Sequence, residues 1–197
     1  MKLNKETFRL IYVLKQLHPH TYAHSINVSN HSVVLGRKLN LNVHDLEILQ
    51  FAGLFHDIGK LKIPESVLKK PGKLTDEEFE EMKKHPIYSV ELLKTAGIVD
   101  VDILKTILYH HERVDGKGYP KGLPKNTIPY LSKIIAVTDS FDAMTSNRCY
   151  RQGLNLEQAK QELINGRGSQ FDSEVVTAFL ETIEEKEKKI VETVGER

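Results

Sequence analysis

Histidines and aspartates recur at separated points along this chain, in combinations that favour metal binding. They are His24, the neighbours His56 and Asp57, His85, the pair His110 and His111, and Asp139. Neutral imidazole and carboxylate ligands together suit iron, manganese or zinc. We therefore expect these residues to form a multinuclear metal site.

The segment GLFHDIGK places His56 and Asp57 side by side, with Lys60 four residues after His56. Residues three and four apart on a helix share a face, so these side chains can approach a common site near the helix end. Burying a carboxylate on an apolar helix is costly unless a cation offsets its charge, and a carboxylate can bridge two ions. The alternative is a surface salt bridge between Asp57 and Lys60 beside a core histidine.

Two consecutive histidines end a predicted helix in the segment YHHERVDGKGYPKGL, and a glycine-rich turn follows. Consecutive helical residues diverge by about 100°. His110 and His111 can therefore reach one site only if the helix end points at it, or if they bind different metals. Either histidine alone could instead be a helix C-terminal residue that the helix dipole favours.

The segment IAVTDSFDAMTSNRCYR places Asp139 and Asp142 one turn apart on a predicted apolar helix, followed by Arg148 and Arg151. The two arginines could bind phosphate through charge-assisted, bidentate hydrogen bonds. Asp142 could simply pair with one of them. We therefore expect it to support the metal ligands and not to bind metal itself.

His24 and His85 are weaker candidates when each is taken alone. His24 follows His20 by four residues, on the same helical face, and His85 precedes Pro86. A lone histidine of this kind is more often a hydrogen-bonded core or surface residue than a ligand. The joint occurrence of all the candidates is what favours a metal site.

Helices must position these residues, because apolar side chains recur at spacings of three and four over most of the chain. These spacings predict an all-α protein with helices over 5–17, 22–40, 44–59, 75–95, 99–112, 129–145, 155–165 and 173–192. Capping-box patterns at Thr75 and Asn155 mark two of the helix starts. Glycine and proline are dense in 60–74 and 113–128, so we expect both segments to be loops without regular structure, the first a candidate lid over the site.

Composition narrows the class of protein. The chain has 197 residues, no linker-like break and a formal net charge of +1, so we expect one domain over 1–197 without the cationic surface that binds nucleic-acid polymers. The single cysteine, Cys149, excludes an intrachain disulfide. The first residues are too polar for a signal peptide or membrane span. We expect a cytoplasmic protein, with the charged segment 182–197 forming a solvated helix end or tail.

Four motifs, HDIGK, HHERVDGKGYPKGL, VTDSFDAMTSNRCYR and GSQFD, closely resemble the HD-GYP subfamily of the HD-domain metal-dependent phosphohydrolases. The likeness runs from about residue 18 to about residue 180. It implies a single-domain helical bundle with a Gly/Pro-rich GYP loop. It also implies hydrolysis of cyclic di-GMP to pGpG or GMP in bacterial signalling, with two or three divalent metal ions, commonly iron or manganese; zinc, nickel and magnesium stay open.

The resemblance assigns roles to individual residues. The first metal site matches His24, His56, Asp57 and Asp139, with Asp57 as the bridging carboxylate, and the second matches His85, His110 and His111. Phosphate contacts match Lys60, Arg148 and Arg151. The signature tripeptide, which shapes the guanine-binding end of the pocket, matches Gly118, Tyr119 and Pro120. We expect Glu112 and Asp115 to hold this loop.

The chain departs from the family pattern at two positions. Members with a third metal carry a glutamate where this chain has His20, and many members carry an arginine where it has Asn27. An imidazole at residue 20 could bind an extra metal but supplies no negative charge, so we expect two ions. Such a pair lowers the pKa of a shared water from about 15.7 toward about 7, while Lys60 stabilises charge on the phosphate.

Two other functions stay open at this point. The domain could bind the nucleotide, or a protein partner, with negligible turnover. It could also be an HD-type phosphohydrolase for another nucleotide, such as cyclic GMP-AMP. A homodimer is likewise left open.

Overall fold

A computed structural model describes residues 4–146 and 152–195. The α-helices among them are α1 (Lys5–Leu17), α2 (Pro19–Lys38), α3 (Val43–Phe55), α4 (Glu65–Leu68), α5 (Asp76–Met82), α6 (His85–Thr95), α7 (Val101–Leu108), α8 (Tyr130–Thr145), α9 (Leu156–Gly166) and α10 (Ser173–Gly195). Short 3₁₀ helices cover Ile58–Lys62 and Lys125–Thr127. The described residues form no β-strand, only an isolated parallel bridge between Arg167 and Phe171. The predicted all-α fold is confirmed.

Both predicted capping boxes are present. The hydroxyl of Thr75 accepts the backbone N–H of Glu78, whose carboxylate accepts the N–H of Thr75 at 2.7 Å. Asn155 and Gln158 make the same reciprocal pair at the start of α9. Each box satisfies backbone N–H groups that have no partner within the helix, which fixes where α5 and α9 begin.

Several predicted boundaries are wrong. The helix expected over 44–59 ends at Phe55, the one over 75–95 is divided after Met82, and the one over 99–112 ends at Leu108. The segment 60–74 is also more regular than expected, because it contains α4, which buries Val67. Each of these helix ends lies within three residues of a candidate metal ligand.

The helices pack around α2, which contacts α1, α3, α8 and α10, while α3 also contacts α7 and α8. Their buried faces form one apolar cluster that includes Leu35, Leu49, Phe55, Ile107 and Ile135. Burying a side chain of this size contributes about 1.5–3 kcal/mol. This core fixes the helices that carry or precede the candidate ligands.

The 3₁₀ helix Ile58–Lys62 lies against α6 at very short range. A Cβ atom on Gly59 would lie 2.0 Å from the carbonyl oxygen of His85, so only glycine permits this approach. The buried hydroxyl of Ser89 accepts the N–H of Gly59 at 2.8 Å and donates to the carbonyl of His56 at 2.7 Å. These contacts hold the turn that carries Asp57 against the helix that begins at His85.

Helix α10 continues into the charged segment 182–197 as far as Gly195. Lys38 pairs with Glu185 at 2.6 Å and Lys160 with Glu187 at 2.7 Å, so the helix is tied to α2 and α9. None of the described helices combines the length and the apolar run that crossing a bilayer requires.

Candidate metal centre

The candidate ligands come from distant parts of the sequence and meet in one cluster. They are carried by α2 (His24), the turn after α3 (His56 and Asp57), the start of α6 (His85), the turn after α7 (His110 and His111) and α8 (Asp139). Within the part of the chain that the structure describes, three sets have ligand atoms within 4.8 Å of one another: His85 with His110 and His111; His24 with His56 and Asp57; and His56 with His110 and Asp139. Because His56 and His110 each belong to two sets, the cluster is continuous.

The ends of α3 and α7 explain how neighbouring residues reach one centre. His56 and Asp57 lie in the turn beyond α3, and His110 and His111 lie in the turn beyond α7. The angle by which consecutive side chains diverge on a helix therefore applies to neither pair. The ring centroids of His110 and His111 are 4.0 Å apart. Both imidazoles can therefore face the same neighbour, His85.

Asp57 faces both the ligand set that contains His24 and His56 and the set that contains His85. Its Oδ2 lies 3.4 Å from Nε2 of His56 and 3.8 Å from Nε2 of His24, whereas its Oδ1 lies 3.2 Å from Nε2 of His85. Lys60 Nζ is 2.5 Å from Oδ2, but Asp57 is only 1% exposed, which rules out the surface salt bridge considered from the sequence. A carboxylate with one oxygen toward each set of imidazoles is placed to bridge two cations.

Three histidines turn the same ring nitrogen toward the centre. In each, Nδ1 bonds a backbone carbonyl three residues earlier: His56 to Gly53 (2.8 Å), His85 to Met82 (2.8 Å) and His110 to Ile107 (2.6 Å). These carbonyls belong to the last turns of α3, α5 and α7, where C=O groups lack helical partners. The ring caps the helix end and leaves Nε2 for a metal, the usual arrangement behind a metal-binding histidine.

A carboxylate orients the fourth imidazole. Nδ1 of His24 lies 2.7 Å from Oδ2 of Asp142, and Nε2 of His24 lies 2.9 Å from Oδ1 of Asp139. Asp142 also accepts the hydroxyl of Ser146 at 3.1 Å. Asp142 thus stands behind His24, while the proposed phosphate contacts Arg148 and Arg151 lie outside the described residues.

Burial sets the protonation of the three histidines in the set that contains His85. It lowers the pKa of His85 to about 3 and that of His111 to about 4, and it holds the pKa of His110 well below its usual value. These imidazoles are neutral near pH 7 and can act as metal ligands.

The residues around Asp57 are charged in the metal-free protein. Burial alone would lower the pKa of His56, but the carboxylates of Asp57 and Asp139 outweigh it and raise that pKa to about 10. Burial would raise the pKa of Asp57, yet Lys60 and His56 hold it well below its usual range. The two carboxylates therefore stay ionised in the interior, where a bound cation would offset their charge in place of the His56 proton.

The donor set fits divalent metal ions. Nε2 of His85 and Nε2 of His110 are 3.4 Å apart, and since both rings donate through Nδ1, neither offers the other a proton. Nε2 of His56 and Oδ1 of Asp57 are buried without a hydrogen bond. Leaving such a group unsatisfied costs about 1–3 kcal/mol. Cations bound at these atoms would remove that cost, and this mixture of nitrogen and oxygen donors suits iron, manganese or zinc.

The GYP loop is tied down by two acidic residues. The buried carboxylate of Glu112 accepts the backbone N–H groups of Lys121 at 2.7 Å and Leu123 at 2.8 Å. Asp115 makes two hydrogen bonds with the guanidinium of Arg113 and accepts a backbone N–H from the loop. The loop is therefore fixed at both ends next to the histidine pair.

The signature tripeptide lies against that pair. A Cβ atom on Gly118 would lie 2.4 Å from the backbone nitrogen of Arg113, so only glycine permits this path of the chain. The ring of Tyr119, which precedes Pro120 through a cis peptide bond, lies 4.7 Å from the ring of His111 at an angle of 32°. The loop thus places an aromatic surface beside the metal centre.

Two residues that border the site, Phe79 and Lys83, were not predicted from the sequence. A cavity of about 330 Å³ lies beside His111 and Tyr119, and Phe79 and Lys83 from the region of α5 line it. An aromatic side chain inside the acidic run DEEFEEM was the available clue to Phe79. In contrast, His20 is exposed and belongs to none of the metal-capable sets among the described residues.

Comparison with known proteins identifies the family of this chain. A protein-family model described as the HD domain matches residues 10–175. The chain is 39% identical over 170 residues to a cyclic di-GMP phosphodiesterase of Pseudomonas aeruginosa, with 86% of this chain and 41% of that protein covered. It is 36% identical over 162 residues to the 3'3'-cGAMP-specific phosphodiesterase 2 of Vibrio cholerae, with 82% and 31% covered. The chain thus spans less than half the length of either relative.

A solved structure supports the same fold. An HDG"Y"P protein from Bdellovibrio bacteriovorus matches with a TM-score of 0.70 at 19% identity, over 92% of this chain and 58% of that chain. At this identity the likeness is one of fold. The family match, the relatives and the motifs together lead to one conclusion: the chain belongs to the HD-domain family, as a domain of the HD-GYP type.

Proposed function

We propose that this domain hydrolyses a phosphodiester bond of a cyclic dinucleotide at a centre of two divalent metal ions, with cyclic di-GMP as the preferred substrate. The observation that supports this best is the placement of Asp57, which turns one oxygen toward His56 and the other toward His85. A shared carboxylate between two sets of imidazoles is the ligand pattern of a two-metal hydrolase. Relatives named as cyclic di-GMP phosphodiesterases support the choice of substrate.

The geometry supports one division of the ligands between the two ions. His24, His56, Asp57 and Asp139 would hold one ion, and His85, His110 and His111 the other, with Asp57 shared. Two such ions would supply a hydroxide nucleophile near neutral pH and would stabilise charge on phosphate oxygens. Iron and manganese are the first metals to test, because the donors are imidazole and carboxylate and no thiolate lies among them.

Other residues of the chain act on the substrate and on the ligands. Lys60, whose ammonium lies beside Asp57 and is partly exposed, supplies positive charge where a phosphate oxygen would approach. Asp142 fixes the ring of His24. Burial and the carboxylates of Asp139 and Asp57 raise the pKa of Tyr119, so its phenol stays protonated and can donate to, or stack on, a base.

The mixed nucleotide cyclic GMP-AMP is a second candidate substrate, because one relative is named for that specificity. A binding module without turnover is the third possibility. The complete set of buried ligands favours an enzyme, since a module that only bound nucleotide would gain nothing from orphaned ligand atoms such as His56 Nε2 and Asp57 Oδ1.

The test is turnover by protein loaded without oxygen with Fe(II) or Mn(II). Metals per chain are counted in the same sample, and pGpG and GMP are separated by chromatography for cyclic di-GMP and cyclic GMP-AMP. We expect about two ions per chain and metal-dependent product, with both lost in His56→Ala and Asp57→Ala. Fully metallated protein that binds the nucleotide without releasing product would contradict the proposal and favour the binding module.

A further inference from the structure

Helix α5 borders the active site without contributing to the core. None of its residues is buried, and the ring of Phe79 is 45% exposed. Phe79 nevertheless has a defined neighbour, because its ring lies 6.5 Å from that of Tyr119 in an edge-on orientation of 80°. The fold therefore holds two aromatic side chains from separate segments on the same side of the metal centre.

The space beside these rings is a cavity of about 330 Å³. Its walls include His111, Tyr119, Phe79, Lys83, Gln170 and Phe171. Ligand pockets span about 300–1,000 Å³, so this one is at the small end and suits a single nucleobase. Since His111 belongs both to the cavity wall and to the metal cluster, a base bound here would be joined to a phosphate at the centre.

The walls have the chemistry that recognises guanine. Aromatic rings bind the faces of any base by stacking. The ammonium of Lys83 is held 2.5 Å from a carboxylate oxygen of Glu80 and 4.9 Å from the centre of the Phe79 ring. Lysine offers only donors. Guanine presents the acceptors O6 and N7 on one edge, whereas adenine replaces O6 with an amino donor.

We propose that α5 and the residue after it complete a guanine-binding subsite beside the metal centre, with Phe79 packing against the base and Lys83 donating to its O6 and N7 edge. This inference rests on the proposed function and adds specificity residues to it. Phe79 precedes Met82 by one turn of α5, and the Met82 carbonyl accepts Nδ1–H of His85. The helix that contacts the base therefore also orients a metal ligand.

The test compares Phe79→Ala and Lys83→Met with two matched controls. Phe8→Ala removes a more exposed phenylalanine, on α1, and Lys84→Met removes the neighbouring lysine, which pairs with Glu81 as Lys83 pairs with Glu80. Neither control residue lines the cavity. Four quantities are measured on manganese-loaded protein: metals per chain, hydrolysis of methyl p-nitrophenyl phosphate, cyclic di-GMP affinity, and kcat/KM for cyclic di-GMP and cyclic di-AMP.

We expect Phe79→Ala to weaken cyclic di-GMP binding and kcat/KM about tenfold or more, and Phe79→Tyr, which keeps the ring, to restore most of it. Lys83→Met should reduce the preference for cyclic di-GMP over cyclic di-AMP about tenfold. Metal content and hydrolysis of the small diester should stay unchanged in the two controls, which lie outside the cavity. In Phe79→Ala and Lys83→Met, hydrolysis of the small diester, which has no base, should fall much less than turnover of cyclic di-GMP.

The outcomes separate this inference from the proposed function. Wild-type turnover of cyclic di-GMP that Phe79→Ala leaves unchanged would overturn the subsite and leave the enzyme in place. Binding that depends on Phe79, in a wild-type protein that hydrolyses only the small diester, would support the subsite and overturn the proposed function. Equal losses for the small diester and for cyclic di-GMP in Phe79→Ala would also overturn the inference. They would show that Phe79 supports the metal ligands and does not contact the base.

Discussion

Oδ1 of Asp57 lies 3.2 Å from Nε2 of His85, and neither atom brings a proton to the contact. His85 donates its Nδ1–H to the carbonyl of Met82, and burial lowers the pKa of His85 to about 3, so its Nε2 carries a lone pair near pH 7. Asp57 is ionised, because Lys60 and His56 outweigh the effect of burial on its pKa. Two buried acceptors that face each other favour a cation between them.

Metal binding should therefore stabilise the fold strongly. We expect manganese or iron to raise the melting temperature, and a chelator to reverse the rise, by an amount equivalent to about 2.7 kcal/mol when free metal is 100 times its dissociation constant. Asp57→Asn should abolish the shift, whereas Asp45→Asn, at a half-buried position on α3 outside the metal-capable sets, should keep it. Differential scanning calorimetry measures this, and an undiminished metal response in Asp57→Asn would argue against the bridging role.

Lys60 should matter for turnover more than for metal retention. Its ammonium contacts Asp57 and its side chain is partly exposed, so it can stabilise charge on a phosphate oxygen. We expect Lys60→Met to keep its metals and lose about 100-fold or more in kcat. Lys62→Met, which breaks an exposed pair with Glu91, is the control and should stay near wild type. Loss of metal from Lys60→Met would instead mean that the lysine holds the ligands in place.

Asp142 should set metal affinity through His24. Its carboxylate holds Nδ1 of His24 at 2.7 Å, and removing such a partner commonly costs 10–100-fold in metal affinity. We expect Asp142→Ala to weaken manganese binding by about this factor, as measured by competition with a chromogenic chelator. Ser146→Ala, which removes only a hydrogen bond to Asp142, should have a smaller effect. Equal affinities in Asp142→Ala and wild type would show that His24 needs no such support.

His31 should make the metal-free fold sensitive to mild acid. It packs edge-on against Phe141 and Phe179. Burial lowers its pKa from the ordinary 6.5, although the carboxylate of Asp142 acts in the opposite direction, and Lys186 adds to the lowering. As the pH falls through that ordinary value, the unfolded chain takes up a proton before the folded protein does, so the free energy of unfolding decreases. Above about pH 7 both states are neutral at this residue and the effect vanishes.

Urea unfolding of metal-free protein at about pH 7.5 and about pH 5.5 tests this. His31→Gln should lose less stability between the two conditions than wild type does, whereas His44→Gln, at an exposed position, should lose as much as wild type. Histidines other than His31 and His44 are present in all three proteins and contribute equally to the loss of stability in each. A steeper loss in His31→Gln would mean that His31 is protonated in the folded state.

The amino-acid sequence alone predicted the helical class, the helix starts at Thr75 and Asn155 and the ligand types. These depend on local patterns: apolar periodicity, reciprocal capping and short motifs that each lie within a few residues. The helix ends were harder to predict, because α3, α5 and α7 stop where an imidazole bonds a free carbonyl of the last turn. The periodicity of apolar side chains does not reveal such a hydrogen bond.

Only the tertiary structure decided how the ligands meet. The two oxygens of Asp57 face different imidazoles because Gly59 and Ser89 hold its turn against α6, a contact between segments about 30 residues apart. The same holds for Phe79, which reaches Tyr119 across the cavity although the two are far apart in the chain. Residue types fix which chemistry is available, whereas packing of the helices fixes which atoms share a site, since that depends on long-range contacts that no local pattern encodes.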